Sequence, residues 1–185
     1  MKTERIANRY ARALLSFALE KNLLEEIHKD MVLLEEVCAS SKDLVHFLNN
    51  PVITNSKKLS VFNAVFSGKL NPLSFQFLEI LIRKRREMMI REIAVEFIRL
   101  YKEHHNIKTV YFKTAAAPNE KNIQLLKDAL SKVFSSKIEL ISEVNENLIG
   151  GFVFNVDDLQ YDATVRRNIN RLKKEYNVNI YVPKF

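Results

Sequence analysis

Tyr101-Lys102-Glu103-His104-His105-Asn106-Ile107-Lys108-Thr109-Val110-Tyr111-Phe112-Lys113-Thr114 is where the chain changes character. Lys102 to Asn106 is polar and carries no apolar stripe. From Ile107 the residues become β-branched and aromatic, with Val110 and Phe112 alternating against lysines. That composition suits a pleated, half-buried surface and reads as a strand. Before Tyr101 the apolar residues recur at helical spacing; after Asn106 strand and helix patterns alternate. The switch predicts an α+β chain. An N-terminal six-helix bundle domain covers 1–105, and a small α/β C-terminal domain covers 106–185.

The helical pattern breaks into six pieces. Thr3 can cap a first helix with Ile6, Tyr10, Ala13, Leu14 and Phe17 on one face. Asn22 can cap a second with Leu24, Ile27, Met31, Leu34 and Cys38. Ser41 opens a short third helix, which Asn50-Pro51 stops, because proline biases its predecessor away from helix. A fourth starts near Asn55 and ends at Gly68. Asn71-Pro72 opens a fifth, since proline suits the first helical turn. A sixth carries Ile90, Ile93, Phe97 and Tyr101. The fifth is unusual: Phe75, Phe77, Leu78, Ile80, Leu81 and Ile82 leave little polar face. Such a helix is buried all round, or its outer face receives a partner.

In the C-terminal part, Pro118-Asn119-Glu120 opens a helix with Ile123, Leu126, Leu130 and Val133. Ile138–Val144 and Phe152–Val156 read as strands. Asp162 can cap a last helix bearing Val165, Ile169, Leu172 and Tyr176, and Val178, Ile180 and Val182 can add a terminal strand. The chain has only three glycines, and two are adjacent in Leu148-Ile149-Gly150-Gly151-Phe152-Val153-Phe154. Glycine permits positive φ and close backbone approach, so the pair marks one sharp turn into a strand. Both are expected to need that freedom, Gly150 included.

With 185 residues, 47% of them hydrophobic, the chain can bury a substantial core. The formal net charge of +7 suits an acidic partner, a nucleic acid or a membrane surface. One cysteine, Cys38, excludes an internal disulfide and fits a reducing compartment. No stretch approaches the ~20 apolar residues of a membrane span. Met1-Lys2-Thr3-Glu4-Arg5 leads into an amphipathic helix without the apolar core of an export signal.

Catalytic patterns are missing from the sequence. The glycine pair is not followed by the lysine and hydroxyl of a phosphate loop, and a third glycine for a dinucleotide fingerprint is lacking. His28, His46, His104 and His105 show no zinc spacing. The reading is therefore of a protein with no catalytic site, no cofactor and no metal. Arg83-Lys84-Arg85-Arg86 ends the fifth helix, where cations favour the dipole. Arg166, Arg167, Arg171, Lys173 and Lys174 form the solvated face of the last helix. A basic soluble adaptor that binds nucleic acid is the alternative, but the aromatics sit on core stripes rather than among the cations.

Several spaced motifs together resemble the delta subunit family of bacterial rotary ATP synthases, which includes the oligomycin sensitivity conferral protein. They are Arg9-Tyr10-Ala11-Arg12-Ala13-Leu14, then Asn50-Pro51-Val52-Ile53 with Lys58. Phe77-Leu78, Leu81, Arg85-Arg86, Ile93, Phe97 and Leu100 follow. The most specific is Leu148-Ile149-Gly150-Gly151-Phe152 with Asp162, Thr164 and Arg166, where Gly150, Gly151, Asp162 and Arg166 form the structural motif. Thr114-Ala115-Ala116-Ala117-Pro118 departs from the family's pattern at the following Asn119. The resemblance implies a peripheral-stalk connector that keeps the catalytic head from turning with the rotor. It implies that the N-terminal domain binds the N-terminal helix of an alpha subunit between the first and fifth helices, through Tyr10, Ala13, Leu14, Phe17, Phe77, Ile80 and Leu81. The C-terminal domain is implied to bind the C-terminal ends of the stalk b subunits. The location implied is the cytoplasmic face of the bacterial cell membrane, reached through the complex with no membrane insertion and no direct nucleic-acid contact.

Overall fold

The computed structural model describes residues 2–66, 68–115, 118–145, 147–157 and 159–176. The Thr3 cap and the terminal strand at Val178, Ile180 and Val182 lie outside what is described. Two compact units emerge, Met1–His105 and Asn106–Phe185.

The first unit holds α1 (Lys2–Glu20), α2 (Leu24–Ser40), α3 (Lys42–Asn49), α4 (Asn55–Phe66), α5 (Pro72–Arg83) and α6 (Ile90–His104), with a 3₁₀ turn at Glu87–Met89. The second holds β1 (Ile107–Thr114), α7 (Glu120–Phe134), β2 (Lys137–Val144), β3 (Phe152–Val156), β4 (Leu159–Asp162) and α8 (Val165–Tyr176). The α+β class read from the sequence holds. Lys102–His104 is not a separator: α6 runs through it, and only His105 and Asn106 precede β1.

α6 is the spine of the bundle, with α1 and α2 packed along it and α5 packed on α4. Its stripe of Ile90, Ile93, Ala94, Phe97 and Leu100 is buried against Ala7, Ala11 and Ala18 of α1 and Ile27, Met31 and Leu34 of α2. Three alanines on α1 let the two helix backbones come close. Ser41 accepts from Leu44 N at 3.3 Å, and Asn71 accepts from Leu73 N at 3.0 Å, so both helix starts read from the sequence are capped by a side chain. Asp30 accepts from Asn71 N at 2.9 Å and fixes the start of α5 on α2.

Asn22 plays a different part from the one its sequence suggested. It sits at φ 55° and closes α1 rather than opening α2. Asn22 N donates to Leu19 O and Leu23 N to Ala18 O, the paired bonds of a Schellman end. Leu23 precedes α2 without a side-chain cap. Asparagine tolerates the left-handed region better than most residues, which lets it take this role.

A buried ion pair joins three elements at one end of the bundle. Lys58 of α4 donates to Glu87 Oε1 at 2.6 Å and to Leu48 O, in the last turn of α3, at 2.7 Å. Both side chains are buried.

In the second unit, β1 and β2 are parallel and joined through α7, and the sheet order is β2-β1-β3-β4 with β3 antiparallel to both its neighbours. Its core is Val110, Leu130 and Val156, with Leu126, Phe134, Ile138 and Phe154 packed around. β4 escaped the sequence reading; it is four residues long and follows a turn in which Asp157 adopts φ 50°.

The glycine pair behaves unequally. Gly151 sits at φ 83°, and a Cβ there would lie 2.3 Å from Ala163 O and 2.9 Å from Thr164 Cα. Gly150 is not in the left-handed region, and a Cβ would meet only a Val165 methyl at 3.1 Å. The expectation that Gly150 needs positive φ is thus corrected: the constraint falls on Gly151, whose backbone crosses the segment entering α8. Gly150 O and Phe152 O accept from Val165 N and Ala163 N and hold that crossing in place. Asp162 is also reassigned. Thr164 caps α8, accepting from Arg167 N at 3.2 Å, while Asp162 Oδ1 accepts from Thr164 N at 2.9 Å one step earlier. That bond holds the Asp162 carboxyl below its usual range. Arg166 is exposed, and Arg167 is the arginine that reaches Asp162 O.

Two outcomes are expected. Gly151→Ala should destabilise the second unit by about 3 kcal/mol, from left-handed strain and a backbone collision, whereas Gly150→Ala should cost under about 1 kcal/mol. Thermal melts of the two variants, read by sheet amide signals in NMR, rank them. Separately, Lys58→Met should cost the first unit about 3–5 kcal/mol by stranding a buried carboxylate, and adding Glu87→Leu should restore most of it. Chemical denaturation of the single and double variants checks the non-additivity.

Candidate partner-binding groove

α5 has two apolar faces. Ser74, Leu78, Leu81 and Ile82 are buried in the bundle. Leu73, Phe77 and Ile80 recur at i, i+4 and i+7 on the other side and border a groove of 410 Å³. Ala13, Leu14 and Phe17 of α1 form its opposite wall, and Gln76 completes the lining. Phe17 is 43% exposed and Ile80 50%. Leu14 is buried and forms part of the floor. Tyr10 and Phe77 meet edge to face at 6.5 Å between ring centres and bridge the two helices.

Of the seven residues read from the sequence, five line this groove: Ala13, Leu14, Phe17, Phe77 and Ile80. Tyr10 supports it through Phe77. Leu81 does not belong, because it is fully buried and points into the bundle. Leu73 and Gln76 were missed. The helical period carried the signal for Leu73, one turn before Phe77, but its neighbour Pro72 reads first as a helix start.

The α1 wall is anchored from behind. Asn8 donates to Glu96 Oε1, and Arg99 donates to both Glu96 oxygens, at 2.8 and 3.0 Å. The Arg99 bond, helped by Asn8 and opposed by burial, holds the Glu96 carboxyl below its usual range. Lys21 lies 5.8 Å over the Phe17 ring and gives the groove a basic rim. Arg83 is neutralised by Glu79 at 2.5 Å.

The second unit presents another apolar surface. α8 buries none of its residues, and Val165, Ile169, Leu172 and Tyr176 stay exposed along one side. Arg166, Arg167, Arg171, Lys173 and Lys174 flank that stripe. Among the described residues no cluster of three or more His, Cys, Asp or Glu side chains could hold a metal, and no helix is long and apolar enough to cross a membrane. Cys38 is buried, and burial raises its thiol above the usual range, which suits packing rather than nucleophilic chemistry.

A six-helix bundle with an open apolar groove, followed by a four-stranded α/β unit, defines a two-unit α+β class of protein. Comparison with known proteins gives the family. The family described as ATP synthase delta (OSCP) subunit matches residues 6–176. ATP synthase subunit delta of Cytophaga hutchinsonii is 34% identical over 180 residues, covering 97% of this chain and 98% of that protein. The subunit delta of Christiangramia forsetii is 35% identical over 185 residues, covering all of both. A chain in the cryo-EM structure of the Toxoplasma gondii mitochondrial ATP synthase hexamer superposes with a TM-score of 0.71 at 23% identity, over 92% of this chain and 96% of that one. This chain belongs to the ATP synthase delta (OSCP) subunit family, a peripheral-stalk component of that complex.

The Glu96 anchor predicts a pH effect. A carboxyl with a depressed native pKa adds stability above its unfolded value, about 4.3, and loses it as pH falls through the native value. Glu96→Gln should therefore lower stability at neutral pH and flatten the loss on acidification. Melting curves between pH 3 and 7 for wild type and variant give the comparison.

Proposed function

We propose that this chain joins the catalytic head of a rotary ATP synthase to its peripheral stalk. The first unit captures the amphipathic N-terminal helix of an alpha subunit in the groove between α1 and α5. The second unit holds the C-terminal ends of the b subunits. The chain has no catalytic site of its own. It transmits a static load that keeps the head from turning with the rotor, and it reaches the cytoplasmic face of the cell membrane through the complex.

The observation that carries the reading is the doubly apolar α5. A free helix face built of Leu73, Phe77 and Ile80 opposite Phe17 is the geometry for receiving one apolar helix stripe. On the stalk side the support is α8, whose exposed apolar stripe is flanked by cations and suits an amphipathic helix with acidic flanks.

Titration with the N-terminal peptide of the cognate alpha subunit tests the groove. Ile80→Asp leaves a half-exposed side chain in a folded bundle, because Ile80 is outside the core, and should weaken peptide binding at least about ten-fold through an unpaired desolvated carboxylate. Leu81→Asp should instead unfold the bundle. A folded Ile80→Asp that binds with wild-type affinity would move the alpha site elsewhere. Salt provides a second check. Apolar capture should survive at roughly 0.2–0.5 M salt, whereas phosphate-backbone binding falls by orders of magnitude on the way there. Tight nucleic-acid binding at that salt with no affinity for the peptide would overturn the connector reading.

A further inference from the structure

We propose that the end of the bundle formed by the α3–α4 turn and the α5–3₁₀ turn is a second docking face, taking an acidic protein segment that carries one apolar anchor side chain. Assigning that segment to the catalytic head rests on the connector reading; the face itself rests on the following geometry.

Helix ends in the first unit show where a residue is out of keeping. Asn22, Gly68, Arg85 and Asn106 follow α1, α4, α5 and α6 with φ of 55°, 74°, 56° and 52°. Glycine enters this region freely, and asparagine is enriched there. Arginine has neither advantage. Yet Arg85 makes both bonds of a Schellman end, Arg85 N to Ile82 O at 3.0 Å and Arg86 N to Leu81 O at 2.8 Å. Glycine would make the same turn with less strain. The guanidinium is therefore what the position retains at the expense of the fold.

Its surroundings give that guanidinium a use. Arg85 borders two adjoining clefts, of 410 and 430 Å³, which also share Asn49 and Met88. Lys84, Arg85 and Arg86 are exposed, and among the described residues none of them has a carboxylate partner, in contrast to Arg83 and Arg99. Between the clefts Met88 is 60% exposed, and Val52 is 85% exposed at the tip of a turn that Asn50 Oδ1 pins through Val52 N at 2.9 Å. Glu87 Oε2 is buried beside the first cleft without a hydrogen-bond partner. The other oxygen of this carboxylate is committed to Lys58, so its charge is compensated from within and does not repel an acidic segment in the cleft.

These features select the partner. Arg85 and Arg86 line the clefts, with Lys84 beside them in sequence, and together they outweigh Glu92 and attract carboxylates, while exposed Val52 and Met88 seat one apolar side chain. A protein segment offers both groups at once, which a phosphate surface does not.

The test uses the full chain and the purified catalytic head of its ATP synthase, with the isolated alpha peptide as control. Arg85→Gly removes the strain, so its melting temperature should equal or exceed that of wild type. Its affinity for the whole head should fall about ten-fold at roughly 0.1 M salt, because the lost contact is electrostatic. Its affinity for the alpha peptide should not change. Val52→Ser/Met88→Ser should weaken head binding independently and with little salt dependence. The proposal is overturned if both variants bind the head as wild type does, or if Arg85→Gly loses head and peptide binding alike. Failure of the wild-type chain to bind the alpha peptide would count against the α1–α5 groove, and the head titration would still decide the second face.

Discussion

The lower end of the bundle depends on one ammonium group. Asn50-Pro51 ends α3 abruptly and leaves its last carbonyls without helical partners. Lys58, one α4 turn beyond the loop, reaches back to Leu48 O and across to Glu87. α3, α4 and the 3₁₀ turn are thereby tied at a point. Truncating either partner strands a charge in the interior, so the two residues hold each other in place more strongly than the pair stabilises the fold. The 3₁₀ turn that begins at Glu87 then sets the direction from which α6 starts, and α6 is the surface on which α1 and α2 lie.

The groove depends on how α1 lies along α6. α1 buries Ala7, Ala11, Leu14 and Ala18 and keeps Phe17 exposed beside its charged face. Small residues inward bring the backbones together; Phe17 outward leaves an apolar wall. α5 mirrors this, with buried Leu78, Leu81 and Ile82 on one side and Leu73, Phe77 and Ile80 on the other. Two helices that each retain an outward apolar stripe leave an open apolar groove between them. The surplus hydrophobicity of α5 is thus divided between the core and the wall of that groove.

Much of this was legible in the chain. The switch after Asn106, the helix starts at Ser41 and Asn71-Pro72, and the surplus apolar face of α5 all follow from local pattern, whereas the pairing of α5 with α1 comes from the family resemblance. The failures have physical causes too. Asn22 fits a helix start or a left-handed helix end, and only the approach of Leu23 N to Ala18 O decides. Gly150 and Gly151 are identical letters, and which one is indispensable depends on the crossing of the Ala163–Thr164 segment. β4 is too short for periodicity to announce. Leu81 matches Ile80 in hydropathy, and the 100° between them on the helix is what sends one inward. Lys58 carried no sign of burial, because burial needed an acceptor from another element.

α8 has a consequence for how the chain exists before assembly. A twelve-residue helix with no fully buried residue draws little of its order from a core, and isolated helices of that length are marginal in water. Its order rests on the Thr164 cap, on the bonds from Val165 N and Ala163 N to Gly150 O and Phe152 O, and on its own hydrogen bonds. In the free subunit α8 is therefore expected to open at a lower free-energy cost than the sheet it follows, with its amides exchanging first.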